Sequence, residues 1–231
     1  TFETGEINGM PVVSFDGIDD YLIDNASYTG RDAYIVFRMS SADQDADELA
    51  HLWGNYQEGI QVGPDPRSDQ PHQYGYSFDG GEDSEAKYGH NGEAYGAYAP
   101  NTDDPSDWTD DDPYIVSVRF EEGHSLTQQI LGSCYPGHPV EDHQLGGDIA
   151  EVIVYNSPLN DAQKIIVENY LSSKYNIALD QNDYYNHDTG GNGTSYYYGV
   201  AGIGQTDADN RHLSGQSAGM LRLYDTSGVQ N

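Results

Sequence analysis

"GDIAEVIVYNSPLNDAQKIIVENYLSSKYNI", residues 147–177, changes the period of its apolar residues once. Up to Tyr155 the apolar residues alternate as in a strand, and Ile149, Val152, Ile153 and Val154 leave Glu151 as the one charged interruption. After Asn160 they recur every three or four positions, which is the helical period. Asn160 with Gln163 three residues later makes a capping box, Asp161 sits in the first turn and Lys174 in the last, each where the helix dipole favours its charge. Ile166, Val167, Tyr170 and Leu171 form an apolar stripe at helical spacing. The stretch therefore reads as a strand over 148–155 leading directly into one short helix over 161–174. In an otherwise β-rich chain the helix is expected at the rim of a sandwich, covering a sheet edge or the open end of the core.

Working outward, "MPVVSF" (10–15), "DAYIVFRM" (32–39), "GIQVG" (59–63), "YGYSFDGG" (74–81) and "PYIVSVRF" (113–120) read as further strands. The near-continuous apolar run at 32–39 predicts a strand buried on both faces or central to a sandwich. The 27 glycines and 10 prolines are spread along the chain, as suits many strands joined by turns. Between the strands lie "SADQDADE" (41–48), "GPDPRSDQPHQ" (63–73) and "NTDDPSDWTDDDP" (101–113), polar loops of the kind that gather at sheet ends, where ligands are met.

"NGMPVVSFDGIDDYL" near the start and the stretch from Gly147 to Ile177 together resemble a bacterial laminin-G-like, concanavalin-A-like jelly-roll module. The likeness covers about residues 7–178 and rests most on a strand of the form G-x-I-A-E-V-I-V-Y followed by the segment Leu159 to Tyr175. It implies two antiparallel sheets packed face to face, with the helix just after a late strand, as found in large extracellular surface proteins. The expected fold is thus an all-β, two-sheet antiparallel jelly-roll sandwich over 1–179. Residues 180–231, a Tyr/Gly/Asn-rich connection and an additional β segment, either pack on the sandwich or begin a second domain.

Charge limits the partners. Thirty-nine acidic residues face nine basic ones, a formal net charge of −30, so phosphate backbones and anionic membranes are repelled. No apolar run approaches a membrane span, and neither nucleic acid nor membrane insertion is expected. An acidic, lysine-poor surface suits a protein living in high salt; equally, its carboxylates suit calcium, which takes six to eight oxygen ligands, and the two readings are compatible. Cys134 is alone, so no intrachain disulfide forms. The opening "TFETGEINGM" lacks the basic and apolar parts of an export signal, as in a mature form or an excised piece.

For calcium the expected ligands are Asp43, Asp45 and Asp47 in one loop and Asp103, Asp104 and Asp107 in another, where six aspartates fall within ten residues. Glu48 and Gly54 stand where an EF-hand needs Gly and Glu, so the site would be of a loop type. "FDGIDD" (15–20) and "TDAD" (206–209) are weaker versions. Zinc at Cys134, His138 and His143 has no established spacing. Twenty tyrosines and two tryptophans suit ring-stacking capture, with Trp108, Asp107, Trp53, Tyr56, Tyr74 and Tyr76 the expected ligand-binding residues. Retaining glycoside hydrolysis needs a close carboxylate pair on a strand. The nearest run, "GEDSEA" (81–86), reads as a solvated loop, and Glu151 stands alone in its strand. The expected function is a non-catalytic, secreted or cell-surface adhesion module recognising a glycan or peptide. The alternative is a self-associating subunit of a surface layer or filament, and a polysaccharide-cleaving enzyme is the least favoured.

Overall fold

The computed structural model describes residues 1–40, 50–54, 58–62, 76–78, 86–92, 96–97, 112–133, 144–185, 202–216 and 222–224. Its strands are β1 (Phe2–Ile7), β2 (Met10–Asp16), β3 (Leu22–Met39), β4 (Ala50–Gly54), β5 (Glu58–Val62), β6 (Tyr76–Phe78), β7 (Ala86–His90), β8 (Gly96–Ala97), β9 (Pro113–Leu131) and β10 (Gly146–Tyr155). Helix α1 (Asp161–Tyr175) follows, then the short strands β11 (Gly204–Gln205), β12 (Arg211–His212), β13 (Ser214–Gln216) and β14 (Arg222–Tyr224). The described chain is thus mainly β, with antiparallel ladders and one helix. The hydrogen-bonded order is β1-β2-β10-β3-β9-β4-β5-β6, with β7 also on β9 and β8 on β7.

Two long strands organise this sheet. The second half of β3 pairs with β10 on one side and with the start of β9 on the other, from Asp32↔Arg119 to Arg38↔Pro113. The first half of β3 continues along the end of β9, from Leu22↔Leu131 to Gly30↔His124, with register shifts between the halves. The start of β9 has β7 as its other neighbour, whereas its end has β4, through Trp53↔Leu131. The sheet therefore forks along β9.

The apolar run in β3 is explained by burial on both faces. Ala33, Tyr34, Ile35, Val36 and Phe37 are all 0% exposed. Ala33, Ile35, Phe37 and Met39 pack with Val116, Val118, Phe120, Phe15, Leu52 and Trp53 in one cluster. Tyr34 and Val36 face the other way, into a cluster with Ile115, Val12, Leu171 and Tyr175. Alternation of side chains across the pleat separates the two sets. Burying a large apolar side chain contributes about 1.5–3 kcal/mol, so each face needs a cover.

That requirement places the helix. The capping box forms: the Gln163 backbone N–H donates to Asn160 Oδ1 at 2.9 Å, and the Asn160 N–H donates to Gln163 Oε1 at 3.0 Å. Asn176 ends the helix in the left-handed conformation at φ 56°. However, α1 lies against the face of the sheet, through Leu171 and Tyr175, and not at the rim expected from sequence. The expected stripe is also revised: Leu171 is buried, but Ile166, Val167 and Tyr170 are only half-buried, while Glu168, Asn169, Ser172 and Ser173 are buried. The reason is a second cover. Residues 202–216 reach the start of α1, where Asn160 Nδ2 donates to the Arg211 carbonyl at 2.9 Å and the Asp161 N–H to Asn210 Oδ1 at 3.2 Å. A Cβ on Gly202 would stand 3.0 Å from Ile166 Cγ1, so this segment lies close on the helix. Polar helix residues find partners in such covers: Asn169 Oδ1 accepts from the Tyr184 and Tyr185 N–H groups.

Polar pins fix α1 to the strands. A bulge between Ile149 and Glu151 in β10 resets the alternation and puts Glu151 opposite Val36, on the helix side. There Lys174 Nζ and Tyr175 OH both donate to Glu151 Oε2 at 2.9 Å, and Tyr170 OH donates to Oε1 at 3.2 Å. Burial disfavours the Lys174 charge, but bonds with Tyr170 and Glu151 outweigh it and raise the ammonium above its usual range. At the other end Asp32, fully buried, accepts from Arg119 Nε at 2.8 Å and from the Leu159 N–H at 2.7 Å. Arg119 also donates to the Leu159 carbonyl at 2.6 Å, so the turn into the helix is held by this pair.

Removing one member of a buried pair strands its partner and costs about 3–5 kcal/mol. Asp32→Ala is expected to lower the urea-unfolding free energy by an amount in that range. A loss within the scatter of surface substitutions would show that the turn at Leu159 is held by other contacts.

Candidate functional site

Where β10 ends at Tyr155, the first half of β3 runs on with β9 as its one strand partner among the described residues. The divergence leaves a cleft of about 730 Å³. Leu22, Ile23, Asp24 and Thr29 of β3 form one wall, Val152, Val154, Tyr155 and the following Asn156 the other, and Trp53, Gln129 and Leu131 of β4 and β9 complete it. Val152 and Val154 pack with the first core cluster, so the cleft opens away from α1. Its size falls in the range of ligand pockets, which are mainly apolar with a few placed polar groups.

The cleft mouth carries exposed apolar side chains. Of its lining residues, Leu22 is 47% and Ile23 43% exposed. Trp53, expected from sequence as a ligand-binding residue, lines the cleft while being 3% exposed and part of the first core cluster. Its position in β4, a strand without a clear apolar alternation, is what the sequence reading missed. Tyr76 lies in β6, its backbone opposite Ile60, with its side chain outside the described set. Trp108, Asp107, Tyr56, Tyr74, Asp43, Asp45, Asp47, Asp103 and Asp104 lie outside the described residues, as do Cys134, His138 and His143.

Of the acidic clusters within the described residues, the weaker sequence candidate at 15–20 comes together. Carboxylate oxygens of Asp16, Asp19 and Asp20 lie within 4.8 Å of one another. Asp16 Oδ1 accepts from the Ile18 N–H at 2.9 Å and the Asp19 N–H at 3.3 Å; the Ile18 bond chiefly holds its pKa below the usual carboxylate range. Those bonds occupy one oxygen of Asp16 in forming the turn. In the 206–209 candidate, Asp207 is spent within its own turn, accepting from Asn210 Nδ2 at 2.7 Å and from the Asp209 and Asn210 N–H groups at 2.9 Å.

A buried titratable group belongs to α1. Glu168 is 1% exposed, and Lys164 Nζ stands 3.4 Å from its Oε1. That contact is an ion pair without hydrogen-bond direction, since Oε1 has no hydrogen-bond partner. Burial pushes the Glu168 carboxyl from 4.5 up to about 7, with Lys164 opposing. Asp32 and Glu168 are thus two acids on the helix-covered face, each with a cation beside it and neither lining the cleft.

Compared with protein-family models, curated proteins and solved structures, the chain matches none.

A raised carboxylate pKa in the folded state contributes stability that is complete below the unfolded value and is lost as pH rises through the folded one. For Glu168 the window runs from 4.5 to about 7. Glu168→Gln is therefore expected to gain stability relative to the parent as pH rises across that window, by up to about 3 kcal/mol, with a constant difference above it. Thermal melts of both proteins across this pH range check it; a pH-independent difference contradicts it.

Proposed function

We propose that this chain is a non-catalytic binding module of a secreted or cell-surface bacterial protein, taking a glycan or peptide ligand in the cleft between β3 and β10. The observation that carries the reading is the apolar cleft itself, walled by exposed Leu22 and Ile23. Exposed apolar groups gathered at a concave site mark binding surfaces more often than chance exposure does. The forked antiparallel sheet, with Leu52 and Trp53 of β4 packed on the first core face, supports the finer assignment of a two-sheet jelly roll of the laminin-G-like kind. Calcium enters the proposal at Asp16, Asp19 and Asp20, whose oxygens are close enough to share one ion and whose mutual repulsion the ion would relieve.

The test is a glycan and peptide array probed with the parent protein and with Val154→Arg, each in millimolar calcium and in chelator. Val154 is half-buried on the cleft wall, so a guanidinium there blocks the site. The expected result is a ligand class bound by the parent, lost in Val154→Arg, and weakened by chelator to the same extent as by Asp19→Asn. Binding that survives Val154→Arg contradicts the cleft; binding indifferent to chelator contradicts calcium alone.

A further inference from the structure

We infer that the ligand of this cleft is a peptide carrying both apolar and basic side chains. This rests on the reading of the cleft as the binding site and narrows it to a chemical class.

Three features of the cleft select that class. Its apolar walls are mainly aliphatic, from Leu22, Ile23, Leu131, Val152 and Val154; of the two aromatic residues that also line it, Trp53 is 3% exposed within the core and Tyr155 packs against the opposite core cluster, so neither offers an open ring face. Such walls match branched side chains of a peptide better than sugar rings, which are captured by flat aromatic faces and many hydrogen bonds. Among the described residues that line the cleft, Asp24 alone is charged and none is a lysine or arginine. Asp24 Oδ1 accepts from the Ala26 N–H at 2.8 Å, and the exposed carboxylate keeps Oδ2 for an incoming cation.

The same charge argues against a second copy of the chain. Each copy carries −30, and the cations of Arg38, Arg119, Lys164 and Lys174 are already paired with the chain's own acids. A basic partner meets no such penalty, and complementary charge raises its encounter rate and orients it. Its apolar side chains then fill the cleft while a lysine or arginine reaches Asp24.

The test uses calorimetric titration of the whole chain at low salt with three probes: a peptide alternating valine and lysine, its valine–glutamine analogue, and a neutral cellulose oligosaccharide. The valine–lysine peptide is expected to bind about tenfold or more tighter than the analogue, and Asp24→Asn to weaken it about threefold to tenfold. Asp209→Asn removes the same charge from an exposed turn on the segment beside α1, away from the cleft, and is expected to leave affinity unchanged within about twofold. Equal weakening by the two variants means attraction by net charge alone and overturns the inference. Equal binding of the glutamine analogue, or preference for the oligosaccharide with loss in Val154→Arg, overturns it while the cleft reading stands. Dimerisation by light scattering that Val154→Arg abolishes overturns it in favour of a second copy. Failure of all three probes, with no array ligand lost in Val154→Arg, overturns both.

Discussion

The structure depends on one constraint: the segment 32–39 of β3 and its partner 113–120 of β9 carry apolar side chains on both faces, so neither face can be left to water. A strand pair of that composition is stable only inside three layers. One face is closed by β4 and the residues around Phe15, Leu145 and Ile149. The other is closed by α1 and the chain that follows it, down to Ile177 and Leu179. The helix is therefore part of the core in the same sense as a strand, and the 202–216 segment that caps its first turn extends that packing outward.

The scarce cations of this acidic chain serve that architecture. Arg119 neutralises Asp32, Lys174 meets Glu151, Lys164 stands beside Glu168, and Arg38 bridges β3 to Asp148 of β10 with Nε donating at 2.9 Å. The pairs of Arg119, Lys174 and Arg38 each join two elements that hydrophobic contact alone would leave free to slide, whereas Lys164 and Glu168 lie within α1, and a buried polar pair specifies register more than it adds stability. The consequence for the outside is an almost unrelieved field of carboxylates, which decides the sign of any partner before shape does.

Much of this was legible in the sequence, for identifiable reasons. The capping box at Asn160 and Gln163 is a local pattern, and local hydrogen bonds form it. The double-sided burial of 33–37 follows from an unbroken apolar run. The seat of the helix was not legible, because five of its eight buried residues, Lys164, Glu168, Asn169, Ser172 and Ser173, are polar, and Asn169 is partnered by 182–185 while Asn160 and Asp161 at the helix start are held by the distant 210–211. β1 was missed for the opposite reason: five of its six residues are exposed, so it has no apolar period to read. The bulge at Ala150 hid the meaning of Glu151, which looked like an interruption and is the helix's anchor. The cleft was invisible because it arises where β10 stops and β3 continues, a fact of strand lengths and not of any motif.

The proposed site is built partly from the core. Its inner wall, Val152 and Val154, belongs to the tightly packed half of the molecule, whereas its outer wall, 22–24, is exposed and held by β9. In the proposed binding role, a packed floor and an exposed lip would let a ligand be gripped without disturbing the double-sided core. Native-state hydrogen exchange read by mass spectrometry tests this most directly, since protection follows local stability. The account predicts that amides of 33–37, 115–118 and 151–154 exchange slowest and together, and that those of 22–29 exchange orders of magnitude faster. Uniform protection along β3, or early exchange of 33–37, would contradict it.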